Sequence, residues 1–348
     1  MQQNKMKGKI NIAIIGAGSW GTTLSAMLAQ KCCSIEIWTR SKDVFNDILK
    51  NRRNTKYTGN LIIPENVKPF INKEDLSENI DIVIFAVPSH TLRDVIKSFY
   101  DKLLNNCMTI KGLVNVAKGL EIGTNLRLSQ VIKQSVPEEL ESKIAVLSGP
   151  NIAVEVANKL PSVTTISSTN YELLKYLQPI LSTEYFRVYT NKDIIGVEVC
   201  GAVKNIIAIA AGISDGLGYG ANTKASLITR GLYEITKLGV RLGANQLTFS
   251  GIAGMGDLVA TCISQDSRNR NVGARIGKGE KISKITSGMY MVAEGIKTTK
   301  AVYNLANIMG IELPITECIY EIIYNDLDPV KATDMLMGRK HKSEIEGL

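Results

Sequence analysis

The first half of the chain alternates short apolar runs with amphipathic stretches. Six runs read as strands: 10–15 (INIAII), 34–39 (SIEIWT), 81–87 (DIVIFAV), 112–117 (GLVNVA), 143–147 (KIAVL) and 162–167 (SVTTIS). Between several of them lie stretches of helical period, such as 21–31 (GTTLSAMLAQK) and 90–104 (HTLRDVIKSFYDKLL). Continuous apolar strands alternating with helices predict a parallel, doubly wound α/β sheet buried on both faces. Near Asp193 the texture changes. The stretches 193–217, 221–243, 292–310 and 314–324 carry helical periods separated by glycine-rich breaks. The pattern predicts an α/β domain over 8–193 and an all-α domain over 194–340, with a ligand cleft between them.

Composition narrows the picture. A chain of 348 residues with 45% hydrophobic content can bury the cores of two domains. The six cysteines, at 32, 33, 107, 200, 262 and 318, are scattered without a C-x-x-C spacing, and His90 and His341 are the two histidines. Reduced thiols and no metal site are expected. The net charge of +8 is compatible with nucleic acid, an acidic membrane surface or an anionic small molecule. The basic residues are spread along the chain and do not alternate with aromatics, which favours a phosphorylated small molecule and no nucleic acid. The longest apolar candidate, 201–213 (GAVKNIIAIAAGI), carries Lys204 and Asn205 and reads as too short to span a bilayer. The N-terminus lacks a signal-peptide apolar segment, so a cytoplasmic protein without membrane insertion is expected.

The candidate chemistry begins with Gly16-Ala17-Gly18-Ser19-Trp20-Gly21, which follows an apolar strand and opens a helix. In that context Gly16 permits a tight turn, Gly18 lets a pyrophosphate approach the backbone, and Gly21 lets the helix pack on the strand. The helix N-terminus supplies N–H groups and a positive dipole end. Dinucleotide binding on a Rossmann-type domain is the reading. An NAD-only site usually has an acid at the end of the second strand; this chain has Thr39-Arg40-Ser41-Lys42, and Glu36 falls too early. Arg40 either faces a 2′-phosphate or is a solvated loop arginine.

Further along, Lys118 in NVAKGLE stands at the carboxyl end of a strand, where ligands bind in open sheets; a surface lysine is the alternative. Lys204 and Asn205 interrupt an apolar helix, and a buried lysine is costly unless paired or used for proton transfer. The glycine-rich segment 251–256 leads to Asp257, with Thr261 one helical turn on. Ser267, Arg268, Asn269 and Arg270 form a dense donor set for phosphate, or a solvated basic face.

In order along nearly the whole chain, GAGSWGTTLSAMLA, VAKGLE, LSGPN, EVCGAVKNIIAIAAGISDGLG, GMGDLVATC, SRNR and VAEG resemble the bacterial NAD(P)-dependent sn-glycerol-3-phosphate dehydrogenases. The resemblance implies a Rossmann-type domain followed by a helical domain. It implies reduction of dihydroxyacetone phosphate, a phosphorylated triose, to sn-glycerol 3-phosphate with NAD(H) or NADP(H), feeding phospholipid synthesis; a homodimer is expected. It also implies that Lys204 is the proton-transfer lysine. Lys118, Gly149, Asn151, Asn205, Asp257, Thr261, Ser267, Arg268 and Asn269 would meet substrate. Gly16, Gly18, Ser19, Trp20, Gly21, Arg40, Lys118, Ala153, Arg268, Val292 and Glu294 would meet the cofactor. One departure is Asn151-Ile152, where the family usually has Ser or Thr followed by Phe. The alternatives are another two-domain β-hydroxyacid-type dehydrogenase and a non-catalytic dinucleotide redox sensor.

Overall fold

The computed structural model describes residues 10–31, 34–288, 293–341 and 343–344. Val292, one of the expected cofactor residues, and Cys32 and Cys33 lie outside them. Eight strands form one sheet: β1 (Asn11–Ile15), β2 (Ser34–Trp38), β3 (Val67–Phe70), β4 (Ile82–Phe85), β5 (Gly112–Asn115), β6 (Ile144–Ser148), β7 (Ser162–Ser167) and β8 (Phe186–Asn191). Their spatial order is 3-2-1-4-5-6-7-8. The chain runs outward from β1 to β3, then returns to lay β4 on the other side of β1. That reversal opens a crevice at the carboxyl ends of β1 and β4.

The six apolar runs all become strands, and they are buried because helices cover both faces of the sheet. Two strands were not expected from the pattern. β3 (VKPF) and β8 (FRVYTN) are the two edges, so each needs only one partner and half-buried side chains suffice. Pro69 in β3 is tolerated because an edge strand has one unpaired side. The parallel sheet also contains one antiparallel pair, β6 with β7. The connection between them holds a five-residue helix, Ala153–Ala157, too little structure to carry the chain back for a parallel return.

Among the described residues, everything from Ile194 onward is helix, turn or loop. Its axis is the Ile194–Gly216 helix, 23 residues long and buried from Gly196 to Ser214. Asp193 caps its start, one carboxylate oxygen accepting from the Gly196 N–H at 2.8 Å. By length and apolar composition this helix could cross a membrane, which corrects the expectation that no run was long enough. The apolar pattern extends through residues 194–216 on both sides of Lys204, and 89% of its most apolar window is buried inside the protein.

One neighbour, the Arg268–Gly277 helix, meets this axis backbone to backbone. A methyl group at Gly212 would stand 2.0 Å from the Arg270 carbonyl oxygen, and one at Gly273 would stand 2.0 Å from that of Ile209. Gly216 and Gly277 face each other in the same way. The glycines let Arg268 and Asn269 sit beside the helix that carries Lys204 and Asn205.

Candidate active site

The glycine turn closes β1 at the reversal of strand order. Gly16 has φ +122, and a side chain there would strike the Ala86 carbonyl at the end of β4. A Cβ on Gly21 would lie 2.0 Å from the Gly16 carbonyl oxygen, so glycine allows the Ser19–Ala29 helix to start this close to the strand. Gly18 is the opposite case: a Cβ there would meet nothing within 4 Å. This open flank adjoins a helix start that has no side-chain cap, so its first N–H groups remain available to an anion. Asn54, fully buried, braces the turn by donating to the Ala17 carbonyl at 2.9 Å and to Thr22 at 2.8 Å. The Trp20 ring turns away to pack on Phe186, centroids 6.1 Å apart, leaving its backbone at the turn. Ala153 begins the short helix that abuts the Ser19–Ala29 helix.

At the end of β2, Glu36 accepts from the Ser77 N–H at 3.0 Å. Its carboxylate is thus engaged toward the β3 side. Thr39 is buried, Ser41 caps the following helix, and Arg40 is exposed between them.

The centre of the site is Asp257, 1% exposed. A π-helical turn, Ile252–Gly256, delivers it to the start of the Asp257–Ile263 helix, and such turns recur at functional sites. One carboxylate oxygen accepts from Lys204 Nζ at 2.5 Å, and the other accepts from Lys118 Nζ at 2.7 Å. Lys204 also donates to Thr261 Oγ1 at 2.6 Å, and Thr261 donates to the Asp257 carbonyl at 2.6 Å. Lys118 donates to the Gly149 carbonyl at 2.8 Å. Gly149, at φ +157 with Thr164 pressed against it, is the residue that can turn its carbonyl this way. An ammonium has three hydrogens. Among the described residues each lysine commits two of them, leaving a third to direct elsewhere.

Burial pushes the Lys204 ammonium down to about 8 from its ordinary 10.5; Asp257 opposes this and Lys118 adds to it. Two cations share one anion, so the site carries net positive charge in a place shielded from water. Such a site stabilises a developing oxyanion.

The remaining expected residues flank this centre. Asn269 donates to the Asn205 side-chain carbonyl at 2.9 Å and accepts from the Gly295 N–H at 3.0 Å, tying three helices together. Ser267 caps the Arg268–Gly277 helix. Arg268, the first residue of that helix, is exposed at its surface yet surrounded by enough protein that desolvation pulls its titration down, which the Glu294 carboxylate opposes. Glu294 accepts from Ser89 twice, from the N–H at 3.1 Å and the hydroxyl at 2.5 Å, and so binds the helical half to the turn after β4. Arg270 is drawn off by Asp215 at 2.7 Å. Asn151 donates to the Val163 carbonyl at 3.3 Å and accepts from Thr164 at 2.8 Å, which commits both ends of its amide to β7.

Glu198 escaped the sequence reading. It is 6% exposed, two turns before Lys204 on the same helix, and accepts from Arg127 at 2.5 Å and from Ser129 N–H and Oγ at 2.7 and 2.6 Å. Burial pushes its carboxyl up, against the pull of Arg127. The signal was present: like Lys204, it is a charge inside an apolar helical run. It clamps the segment after Lys118 to the central helix.

The chain is similar to known proteins over nearly its whole length. Residues 11–174 match the family model for the N-terminus of NAD-dependent glycerol-3-phosphate dehydrogenase, and residues 193–334 match that for its C-terminus. A glycerol-3-phosphate dehydrogenase [NAD(P)+] of Clostridium botulinum (strain Alaska E43 / Type E3) is 46% identical over 334 residues, covering 96% of this chain and 99% of its own length. The enzyme of that name from Geobacillus thermodenitrificans is 44% identical over 340 residues, covering 97% of each. The crystal structure of glycerol-3-phosphate dehydrogenase from Coxiella burnetii superposes with a TM-score of 0.87 at 38% identity, covering 95% of this chain and 99% of its own.

Proposed function

The chain belongs to the NAD-dependent glycerol-3-phosphate dehydrogenase family, and from that premise we propose that it reduces dihydroxyacetone phosphate to sn-glycerol 3-phosphate with NADH or NADPH. The reaction is reversible, and its product supplies phospholipid synthesis. The observation that carries the site assignment is Asp257, held between Lys204 and Lys118.

The glycine turn fits a dinucleotide, because the one glycine facing open space, Gly18, adjoins the uncapped helix start. Gly16, Gly18, Ser19, Trp20 and Gly21 would hold the pyrophosphate through backbone groups, with Ala153, Val292 and Glu294 around the remainder. Arg40 would meet a 2′-phosphate, since it is exposed at the end of β2 and Glu36 is engaged by Ser77. When bound, the nicotinamide supplies the hydride.

The chain's own residues do the rest. The free hydrogens of Lys204 and Lys118 converge on the substrate carbonyl oxygen and stabilise the charge that develops there. Lys204 gives that oxygen its proton in reduction and takes it back in oxidation. Asp257 holds both ammonium groups in place and keeps Lys204 charged at neutral pH. Arg268, Ser267 and Asn269 bind the phosphate from the start of their helix. Asn205, Thr261, Gly149 and Asn151 shape the pocket for the three-carbon chain.

We assign the dinucleotide to residues 8–193 and the substrate groups chiefly to 194–340. A cytoplasmic homodimer is the assembly that the family resemblance favours, checked by sedimentation. The test of function mixes the protein with NADH or NADPH and dihydroxyacetone phosphate and follows absorbance. Lys204→Ala should abolish most turnover while cofactor binding, measured by calorimetry, survives. Tight cofactor binding by the wild-type protein with no turnover would instead favour a redox sensor.

A further inference from the structure

The helical half contains a second cavity of about 660 Å³, within the range of small-molecule sites. It lies between the Ala221–Arg241, Pro314–Tyr324 and Pro329–Met337 helices and the far end of the central helix. It shares no residue with the lysine–aspartate cluster. Ser214, on its inner wall, is ten residues beyond Lys204, about 15 Å along the helix axis.

Two features of this cavity call for a ligand. The walls are aliphatic, with Ile213, Leu217, Leu227, Ile319, Ile322 and Leu336 facing the space. A side-chain void of this size that is left to water exposes these groups at a cost. The polar groups are distributed asymmetrically. Arg230, Lys237, Arg339 and Lys340 line the cavity as cations, against Glu312 and Glu234 as acids. Glu312 pairs with Arg339 at 3.0 Å. Glu234 is turned to the start of the Pro314–Tyr324 helix, accepting from the Ile315 and Thr316 N–H groups at 2.5 and 3.1 Å. Arg230 lies over the Tyr233 ring at 4.3 Å and donates to the Glu344 backbone carbonyl at 2.8 Å, and Lys237 donates to the Glu312 backbone carbonyl at 3.3 Å; both of these acceptors are uncharged. Ser214, which lines the cavity, is 3% exposed, and its buried hydroxyl has no hydrogen-bond partner among the described residues.

We propose that this cavity binds an amphipathic anion, a flexible aliphatic chain ending in a single negatively charged head. The chain would lie along the aliphatic wall. The head would sit between Arg230 and Lys237, which lie three residues before and four residues after Tyr233, seven apart, and so share one face of the helix. The ligand would contact the same rigid helix that carries Lys204, so the site is placed to report on the active site without overlapping it.

The test is isothermal titration of the full-length protein with decanoate below its micelle threshold. One saturable site is expected, unaffected by saturating NADH and glycerol 3-phosphate. Decanol, which keeps the chain and lacks the charge, and acetate, which keeps the charge and lacks the chain, should each bind at least about tenfold more weakly. Arg230→Ala with Lys237→Ala should weaken decanoate by a similar factor. Leu227→Trp, which fills the wall, should abolish binding, with thermal melting confirming that it folds. No saturable binding, equal affinity in the charge variant, or displacement by NADH and glycerol 3-phosphate would each overturn the proposal.

Discussion

Replacing Asp257 by Asn is the sharpest probe of the reaction centre. The amide keeps the shape and its oxygen can still accept from one lysine, but its NH2 cannot accept from the other, so the charge and one of the two bonds, to Lys204 at 2.5 Å or Lys118 at 2.7 Å, are lost together. The carboxylate is what keeps Lys204 protonated against burial. A unit charge near 4 Å is worth about 4 kcal/mol at the effective dielectric of a protein site. At about 1.4 kcal/mol for each tenfold change, this moves the lysine's titration to lower pH by about 3. In the wild type Lys204 titrates at about 8. Reduction needs its protonated form, so the wild-type rate should hold below that pH and fall as pH rises through it. Oxidation needs the neutral form, and its rate should rise through the same point. In Asp257→Asn the descending limb of reduction should shift to about 5, leaving roughly a hundredth of the lysine protonated at pH 7. The assay is kcat for reduction from pH 4.5 to 9.5, with NADH binding measured in parallel. A reduced rate with an unshifted limb would refute the reasoning, because the carboxylate would then act only as a spacer.

Arg40→Ala should weaken NADPH by about tenfold and NADH by much less, measured by the ratio of their Kd values; an equal effect would move Arg40 out of the 2′-phosphate site. Gly273→Ala should destabilise the fold by about 3 kcal/mol in urea, since its methyl would press on the Ile209 carbonyl and both helices would have to move. Glu234 is buried and titrates at about 7 when folded, against 4.5 ordinarily. Because the unfolded chain ionises first, stability should fall as pH rises from about 4.5 to about 7, by about 3 kcal/mol. Glu234→Gln should flatten that slope; an unchanged slope would assign it to other groups.

Much of the fold was legible because its signals are local. The runs that became β1, β2 and β4 to β7 are mostly apolar or β-branched and mostly buried, and the few polar positions in them, such as Glu36 and Asn115, do not interrupt the pattern. The central helix was legible over 193–217 from its helical period, while its full apolar length, interrupted by Lys204, was not. What was not legible depends on the sheet as a whole. β3 and β8 are strands because a neighbour completes them, and the reversed direction of β7 depends on how a short connection crosses the strand ends. The site shows the same division. Lys204 could be singled out as a charge in an apolar run, and Gly16 by its place after a strand. The contact of Lys118 with Asp257 joins residues 139 apart, and nothing in either segment points to the other. Glu198 carries the same signal as Lys204, a charge inside an apolar helical run. The second cavity has no local signature at all, since its walls come from helices spread over more than a hundred residues.

The glycine seam between the central helix and the Arg268–Gly277 helix bears on how this scaffold diversifies. With carbonyl groups where side chains would otherwise interleave, the two helices have one register and no room to slide or rotate. A descendant that acquired a larger or smaller substrate could not do so by shifting the Arg268–Gly277 helix. It would have to alter what projects from the end of that helix, or the turn at Gly149. The seam therefore divides the sequence into positions where variation retunes chemistry and positions where it dismantles the frame.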